Sequence, residues 1–253
     1  MNAELELYPI ERILFVGPLD DVLPLADRAK QAGHTPTLLL APAEIEEGRK
    51  RTKIRILAED EHADADGFDI AFECYTTDIT SKYEAIQYLE DAFSGEAPII
   101  TLTLTSALCD MLTDAAAPER FVGASMLPPF SETTLAELTK LDSTDPNVFA
   151  TVESLFESFG LKIATVGDAP AGVLVRAVAC LVNESYNALQ EGVAPAADID
   201  TAMKLGVNYP HGPIAWGQKI GLARVEAIMD GLYNWFHEDR YRATPLLRRE
   251  ARK

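Results

Sequence analysis

The chain has little of the basic charge and none of the long apolar runs that nucleic-acid and membrane partners require. Acidic residues outnumber basic ones by 40 to 22, which gives a formal charge of -18 at pH 7. A field of that sign repels nucleic-acid phosphates and anionic lipid headgroups. No apolar run approaches the roughly 20 residues of a membrane span. We therefore expect neither nucleic acid nor membrane among the partners.

Cysteine and histidine are also scarce. The three cysteines are odd in number and widely spaced, and they match no CxxC or zinc pattern: Cys74, Cys109 and Cys180. They predict buried thiols in a reducing compartment. The four histidines show no metal-ligand spacing, so no metal is predicted. The first residues, MNAELELYPIE, lack the basic flank and apolar core of a secretory signal, and we expect a cytoplasmic protein.

What the chain has is an apolar content of 47% arranged in alternating patterns. Short strand-like runs lie at Ile13–Val16, Thr37–Leu40, Ile70–Glu73, Pro98–Leu104, Phe121–Ala124 and Lys162–Val166. Amphipathic helix patterns separate several of them, at 22–29, Ser81–Phe93 and Pro146–Phe159. Such alternation predicts an α/β fold, a parallel sheet flanked by helices. The strongly charged stretch Glu44–Asp66 is interpreted as a solvated helix or loop.

From about Asp168 the pattern becomes helical throughout. VLVRAVACLVNESYNALQEGV has small and branched apolar residues on more than one face, which predicts a buried helix. A second helix has Pro195 and Asp198 as start signals and Gly206 as a stop, and a third spans Leu222–Phe236. We predict an α/β domain over residues 1–168 and an all-helical domain over residues 169–253.

Two C-terminal segments carry a resemblance to a known family. They are GVAPAADIDTAMKLGVNYPHGPIAWGQKIGL, from Gly192 to Leu222, and RYRATPLLRR, from Arg240 to Arg249. The sequences of these segments resemble the C-terminal domain of the 3-hydroxyacyl-CoA dehydrogenases. They resemble most of all the second such domain of the long bacterial enzymes that act on 3-hydroxyadipyl-CoA-type intermediates. The likeness extends backward through DAP at Asp168–Pro170 and PERFVGASMLPPF into the opening βαβ unit, a degenerate Rossmann-like domain.

The resemblance implies NAD-linked oxidation of a 3-hydroxyacyl-CoA thioester. A histidine paired to a glutamate takes the hydroxyl proton, and Ser and Asn side chains hold the substrate oxygens. The helical domain forms the dimer interface in this family. The resemblance therefore implies a homodimer, or a hetero-oligomer with a related dehydrogenase, and an acyl-CoA ligand.

The cofactor positions depart from the family pattern. The GxGxxG loop reads GPLDDV from Gly17 to Val22, so only its first glycine remains. Leu19 stands where the phosphate should lie, and Asp20 and Asp21 bring negative charge to a helix N-terminus, where capping that helix is the favoured interpretation. Leu40 replaces the acidic residue that holds the adenosine ribose.

Glu73 keeps one acidic position of the family, whereas the next expected glutamate falls on Thr77. Gly17 and Glu73 are thus the remnants of the cofactor site. No cofactor is predicted on the main interpretation, and NAD is predicted only if the alternative, an active dehydrogenase with an altered site, holds.

The proton-transfer positions depart as well. The family's GLHFFNP becomes GASMLPP, which puts Ser125 where the catalytic histidine belongs, and Val175 replaces the substrate-binding asparagine beside Arg176. Glu137 keeps the position that orients the histidine, and Ser106 matches the substrate-binding serine. A glutamate on a helix surface and a serine in a turn also have structural explanations.

Ala41–Asp69 is too short for the whole helical hairpin that helps clasp acyl-CoA in this family. Two further interpretations stay open beside a catalytically silent relative that binds a partner or ligand. One is an active dehydrogenase of altered mechanism; the other is a hydrolase or lyase that uses Ser125 or Ser106 as nucleophile. His211, in the YPHGP turn, is interpreted as a loop residue. Met203 and Leu205 are predicted to contribute to packing or assembly.

Overall fold

A computed structural model describes residues 5–57, 67–93 and 97–253. Within them the strands form one eight-stranded sheet in the order β3-β2-β1-β4-β5-β6-β7-β8. All neighbouring pairs are parallel except β6 with β7. The strands are β1 Arg12–Val16, β2 Thr35–Leu39, β3 Arg55–Ile56, β4 Ile70–Glu73, β5 Ile99–Leu102, β6 Phe121–Ser125, β7 Leu135–Thr139 and β8 Lys162–Thr165.

The helices follow the strands and then continue alone to the C-terminus. They are α1 Leu19–Gln31, α2 Pro42–Arg51, α3 Ile79–Ala92, α4 Leu108–Met111, α5 Pro146–Ser158, α6 Leu174–Gln190, α7 Ala196–Val207, α8 Pro213–Ile220, α9 Leu222–Phe236 and α10 Pro245–Glu250. This Rossmann-like sheet followed by helices confirms the predicted fold class. No helix in the described part of the chain is long and apolar enough to cross a membrane.

The sheet has an apolar core on each face, because successive side chains of a strand point to opposite sides. Ile13 and Phe15 of β1 belong to one core, and Leu14 and Val16 to the other. The first core runs on without a break into the C-terminal helices, where it includes Met229 of α9. The C-terminal helices are therefore packed directly on the sheet that carries the β1–α1 loop.

Several elements differ from the sequence predictions. Strand β7 lies where a helix surface was expected for Glu137, and the two-residue edge strand β3 lies within the charged stretch, whose residues 58–66 are outside the described part. Helix α7 does not stop at Gly206. It ends one residue later, and Asn208 takes the left-handed conformation (φ 58°) that closes it. Cys109 is exposed and Cys180 is half-buried, so the prediction of three buried thiols holds only for Cys74.

Helices α6 and α7 are more open than their sequences indicated. α6 buries one face, with Val175, Val178 and Val182 inside, and leaves exposed residues such as Ala177 and Glu184 on the opposite face, so the predicted buried helix is buried on one side only. α7 has no buried residue. Leu205 on α7 is 83% exposed, which places a large apolar side chain in water.

Candidate functional site

The β1–α1 loop keeps the turn of a dinucleotide-binding loop but not its interior. Gly17 has φ +148°, and a Cβ there would lie 3.1 Å from the backbone of Cys74, so glycine is required for the close approach. Pro18, not Asp20 or Asp21, occupies the N-cap position of α1, and its side chain makes no capping hydrogen bond. The prediction that Asp20 or Asp21 caps it was therefore wrong.

The carboxylate at the α1 N-terminus belongs instead to Glu44. Its Oε1 accepts a hydrogen bond from the backbone N of Leu19 at 3.2 Å, reaching across from α2. A helix N-terminus attracts anions because its first N–H groups have no intrahelical partner. Leu19 itself is 2% exposed. A side-chain oxygen thus holds a position at which the family's loop presents backbone N–H groups to phosphate.

Asp20 and Asp21 form ion pairs with two different parts of the molecule. The Asp20 carboxylate lies 2.6 Å from Arg51 Nη1 at the surface of α2. Buried Asp21 receives Arg224 Nη2 of α9 at 2.6 Å, and Arg224 Nε donates to Thr76 Oγ1 at 3.1 Å. Burial raises the pKa of Asp21, while Arg224 opposes the rise. This second pair ties the start of α1 to the C-terminal helices.

Glu73, at the end of β4, is engaged inside the protein. It is fully buried and forms an ion pair with Lys82 of α3. Its carboxylate also accepts hydrogen bonds from Thr101 Oγ1 at 2.6 Å and from the backbone N of Tyr75 at 2.5 Å. Burial raises the pKa of Glu73, opposed by Lys82. With these partners, Glu73 has no accessible oxygen for a cofactor, and Leu40 at the end of β2 is only 5% exposed.

Ser125 and Glu137, which match the family's proton-transfer positions, do lie side by side in the antiparallel pair β6–β7. Glu137, however, accepts hydrogen bonds from the backbone N of Val173 and of Leu174, both at 3.0 Å, so it serves the N-terminus of α6. Ser125 is 1% exposed, and its Oγ has no hydrogen-bond partner. A Cβ on Gly172 would lie 3.2 Å from that Oγ.

Val175, at the family's asparagine position, is 1% exposed on α6. The geometry therefore brings Ser125, Glu137 and Val175 to one place, but as closed packing between the sheet and α6. The neighbouring Glu137 carboxylate is bound to the N-terminus of α6, and the Ser125 hydroxyl forms no hydrogen bond to it, so no base is placed to activate Ser125 as a nucleophile.

Ser106 is half-buried in the loop between β5 and α4. That loop is fixed at both ends. Asp168 accepts hydrogen bonds from the backbone N of Leu108 at 2.7 Å and of Cys109 at 2.9 Å, while a Cβ on Gly231 of α9 would meet the Thr105 carbonyl oxygen at 2.2 Å. Burial and Asp168 raise the pKa of the Cys109 thiol to about 11, which makes it a poor nucleophile at neutral pH.

A cavity of about 320 Å³ opens between the β6–β7 loop, the start of α6, the α7–α8 loop and helix α8, and we call it the interdomain cavity. Leu127, two residues beyond Ser125, lines it together with Leu174 and Trp216. His211 also lines it, with its ring 5.6 Å from that of Trp216 in an edge-on contact. Lys219, paired with Glu132 at 2.6 Å, places charge at the cavity. Sequence analysis had interpreted His211 only as a loop residue.

The residues present do not fit NAD. The backbone N of Leu19 already has a carboxylate partner, Asp21 puts a second carboxylate within the loop, and an aliphatic side chain replaces the ribose contact at Leu40. Pyrophosphate and two carboxylates would repel one another in the same space. Among the described residues, no cluster of three or more His, Cys, Asp or Glu side chains has the geometry to hold a metal ion.

Sequence analysis missed two residues of this site, and for a clear reason. Glu44 is 25 positions from its partner Leu19, and Arg224 is 203 positions from Asp21. No local pattern reports contacts of such separation. The one available signal was the pair of acidic residues in GPLDDV, which required cationic partners somewhere in the fold.

Comparison with known proteins shows where this architecture recurs. Residues 27–169 match the model of the 3-hydroxyacyl-CoA dehydrogenase NAD-binding domain, and residues 173–253 match that of the C-terminal domain. The chain is 30% identical over 207 residues to 3-hydroxybutyryl-CoA dehydrogenase of Clostridioides difficile, covering 80% of this chain and 74% of that protein. With 3-hydroxyadipyl-CoA dehydrogenase of Escherichia coli K12 it is 46% identical over 92 residues, 36% of this chain and 19% of that protein.

A solved structure, (S)-3-hydroxybutyryl-CoA dehydrogenase from Ralstonia eutropha, superimposes with a TM-score of 0.80 at 24% identity. The superposition covers 95% of this chain and 93% of that one, which establishes a shared fold. With both family models matched over nearly the whole length, the chain belongs to the 3-hydroxyacyl-CoA dehydrogenase family.

Proposed function

We propose that this chain has lost NAD-linked dehydrogenase activity and acts as a binding or structural subunit in acyl-CoA metabolism. The observation that carries the proposal is the α1 N-terminus, where the Glu44 carboxylate accepts the hydrogen bond of Leu19 N and Asp21 is tied to Arg224. Hydride transfer needs a bound and aimed cofactor before any base can matter. A loop that binds its own carboxylates does not provide that.

The remaining site positions support the same proposal. Serine is not a base near neutral pH, and Ser125 is enclosed beneath Gly172. Glu137 would orient a catalytic histidine in the family, but here its carboxylate stabilises the start of α6. Proton transfer and cofactor binding are thus replaced by contacts that serve the fold.

We place the retained ligand function in the interdomain cavity. Its volume of about 320 Å³ is that of a small-molecule site, and Leu127, Leu174 and Trp216 give it an apolar wall. This wall suits the acyl part of a thioester, with His211 and Lys219 beside it for polar atoms. The cavity lies between two proposed domains, residues 1–168 and 169–253.

Assembly is the second part of the proposal. Helix α7 buries no residue within the chain, and Leu205, Val207 and the preceding Val193 are 83%, 53% and 71% exposed. Large apolar side chains left in water within one short segment, residues 193–207, favour a protein contact there. We propose that α7 is covered by a second copy or by a related dehydrogenase subunit.

The test of the ligand proposal is calorimetric titration at low salt with NAD, NADH, acetoacetyl-CoA and free CoA. The 3-hydroxybutyryl-CoA dehydrogenase of Clostridioides difficile, titrated under the same conditions, shows that the reagents are competent. We expect no nucleotide binding, together with acetoacetyl-CoA binding that Trp216→Ala weakens. Tight NADH binding by the unaltered chain would overturn the proposal in favour of an active dehydrogenase with an altered site.

The test of assembly is sedimentation of Leu205→Asp. A buried carboxylate would disfavour the contact, so we expect a shift to a smaller species. Tyr83→Asp is the matched control, since Tyr83 is 41% exposed on α3, away from α7. An unchanged, stable oligomer in Leu205→Asp would count against α7 as the interface.

A further inference from the structure

The open face of α6 forms a second cavity, distinct from the interdomain cavity. Its helical residues are Val173, Arg176, Ala177, Cys180 and Glu184, which recur at the spacing of one helix face. The cavity measures about 540 Å³, within the range of small-molecule sites. Opposite α6, the segment after α9 closes it, and we call it the α6 cavity.

Part of the lining of the α6 cavity is apolar. Val173 is 63% exposed although it is aliphatic, and Ala177 lies one helical turn further along the same face. Burial raises the pKa of the half-buried Cys180 thiol, with Arg176 and Arg240 opposing, so the thiol adds a neutral surface. A hydrocarbon chain would remove this surface from water with a favourable free energy.

Two guanidinium groups stand beside the apolar wall. Arg176 stacks on the rings of Phe236 at 4.4 Å and Tyr241 at 5.0 Å and contacts the Tyr241 hydroxyl. Arg240 lies over the Tyr241 ring at 4.7 Å. Stacking engages the faces of a guanidinium and leaves its in-plane N–H groups for hydrogen bonds. Arg240 places Nε 2.8 Å and Nη2 3.2 Å from the two carboxylate oxygens of Glu238, so an oxyanion takes Nη1 or displaces that carboxylate.

The local charge favours an anion, in contrast to the whole chain. Of the residues that line the α6 cavity, Arg176 and Arg240 are basic and Glu184 is acidic, a net charge of +1 in a protein of -18. Arg240 also opens a basic C-terminal segment, which from Arg240 to Lys253 has six basic residues and one acidic residue. Arg240 is 60% exposed in an ion pair with Glu238, a surface pair of little free energy that a ligand can displace.

Acidic groups limit how much charge the ligand can carry. Glu184 lines the α6 cavity, and Asp239 lines the polar groove of about 750 Å³ that adjoins it through Glu184 and Arg240. These carboxylates oppose a multiply charged phosphate group more strongly than a single carboxylate. We propose that the α6 cavity binds a medium-chain acyl carboxylate, with its chain against Val173 and Ala177 and its carboxylate on Arg240.

The test is calorimetric titration with octanoate, compared with octan-1-ol as the neutral analogue and octanoyl-CoA as the phosphate-bearing one. We expect octanoate to bind at least tenfold more tightly than either. Arg240→Gln should lower octanoate affinity at least tenfold, and Ala177→Trp, which fills the hollow from an exposed position, should abolish binding. Arg249→Gln, in the same basic segment but outside the cavity, is the matched control and should leave binding unchanged.

Three results would overturn the proposal: no octanoate binding by the unaltered chain, equal binding of octan-1-ol, or unchanged affinity in Arg240→Gln. Equal binding of octanoyl-CoA through Arg240 would overturn the choice of a carboxylate. Trp216→Ala separates this proposal from the function proposed for the interdomain cavity. That variant should leave octanoate binding intact while weakening acetoacetyl-CoA binding.

Discussion

The loops at the carboxyl ends of the strands and the C-terminal helices have diverged from their relatives in different ways. The helices carry the segments that resemble the family most fully, and residues 173–253 match its C-terminal domain model. At the carboxyl ends of β1, β2 and β6, by contrast, Leu19, Leu40 and Ser125 stand at the positions where the resemblance implies a glycine, an acidic residue and the catalytic histidine. A packing position depends on many neighbours at once, whereas a ligand-binding position depends on its ligand, so the two kinds of position can diverge independently.

The largest expected effect tests whether Glu73, which matches a cofactor position of the family, is held by a buried ion pair that stabilises the fold. Lys82→Met would leave the buried Glu73 carboxylate without its counterion, which destabilises by about 3–5 kcal/mol when one partner of a buried pair is removed. Chemical denaturation at pH 7, compared with that of Glu73→Gln/Lys82→Met, measures it. We expect the double variant to recover much of the loss.

The same variant has a defined pH dependence. Burial already raises the pKa of Glu73, and loss of Lys82 raises it further. A carboxyl whose pKa is raised in the folded state contributes stability below that pKa and loses it as the pH rises through it. The deficit of Lys82→Met should therefore shrink between pH 7 and pH 5. A deficit under about 1 kcal/mol at both pH values would contradict the assignment.

A smaller effect tests the C-terminal helices by the same measurement. Buried Asn183 of α6 donates to the Arg242 carbonyl oxygen at 3.1 Å and accepts from Thr244 N at 2.9 Å. Asn183→Ala leaves both backbone groups unpaired, at a cost of about 2 kcal/mol. Asn187→Ala removes only an exposed hydrogen bond to Glu191 and should cost under about 0.5 kcal/mol. Equal losses of stability in the two variants would show that the Asn183 hydrogen bonds do not hold Arg242 and Thr244 against α6.

The smallest effect lies at the junction between the two regions. Ala171 is fully buried in the left-handed conformation (φ 65°). It follows the DAP segment, at the position where the family's D.PGF motif has glycine. In Ala171→Gly, relief of about 1–2 kcal/mol of backbone strain offsets a lost buried methyl and a more flexible unfolded chain. We expect a thermal unfolding midpoint close to that of the unaltered chain.

Ala179→Gly supplies the contrast, because Ala179 is equally enclosed but lies in regular helix. With no strain to relieve, it should lose about 1–2 kcal/mol from helix propensity and burial together. Similar losses in Ala171→Gly and Ala179→Gly would refute the strained junction.

The sequence predicted most strands and helices because their periodicity is local. Ile13–Val16 and Leu222–Phe236 lie where their patterns indicated, to within one residue. β7 escaped detection because its five residues have no flanking punctuation that separates a strand from a helix turn, and its role emerges only from pairing with β6. Cys109 was misjudged because exposure depends on what packs over a residue, which composition does not report.

By itself, the sequence determined the family, the order of the elements and the replacement of residues at the family's cofactor positions, since each of these depends only on residue type and spacing. Only the tertiary structure decided what replaced them. The carboxylate at the α1 N-terminus comes from Glu44 of α2, and the counterion of Asp21 comes from α9. Glu137 accepts hydrogen bonds from the backbone at the start of α6. Each unpaired charge or N–H group required a partner once water was excluded, and that partner was whichever residue the fold brought within reach.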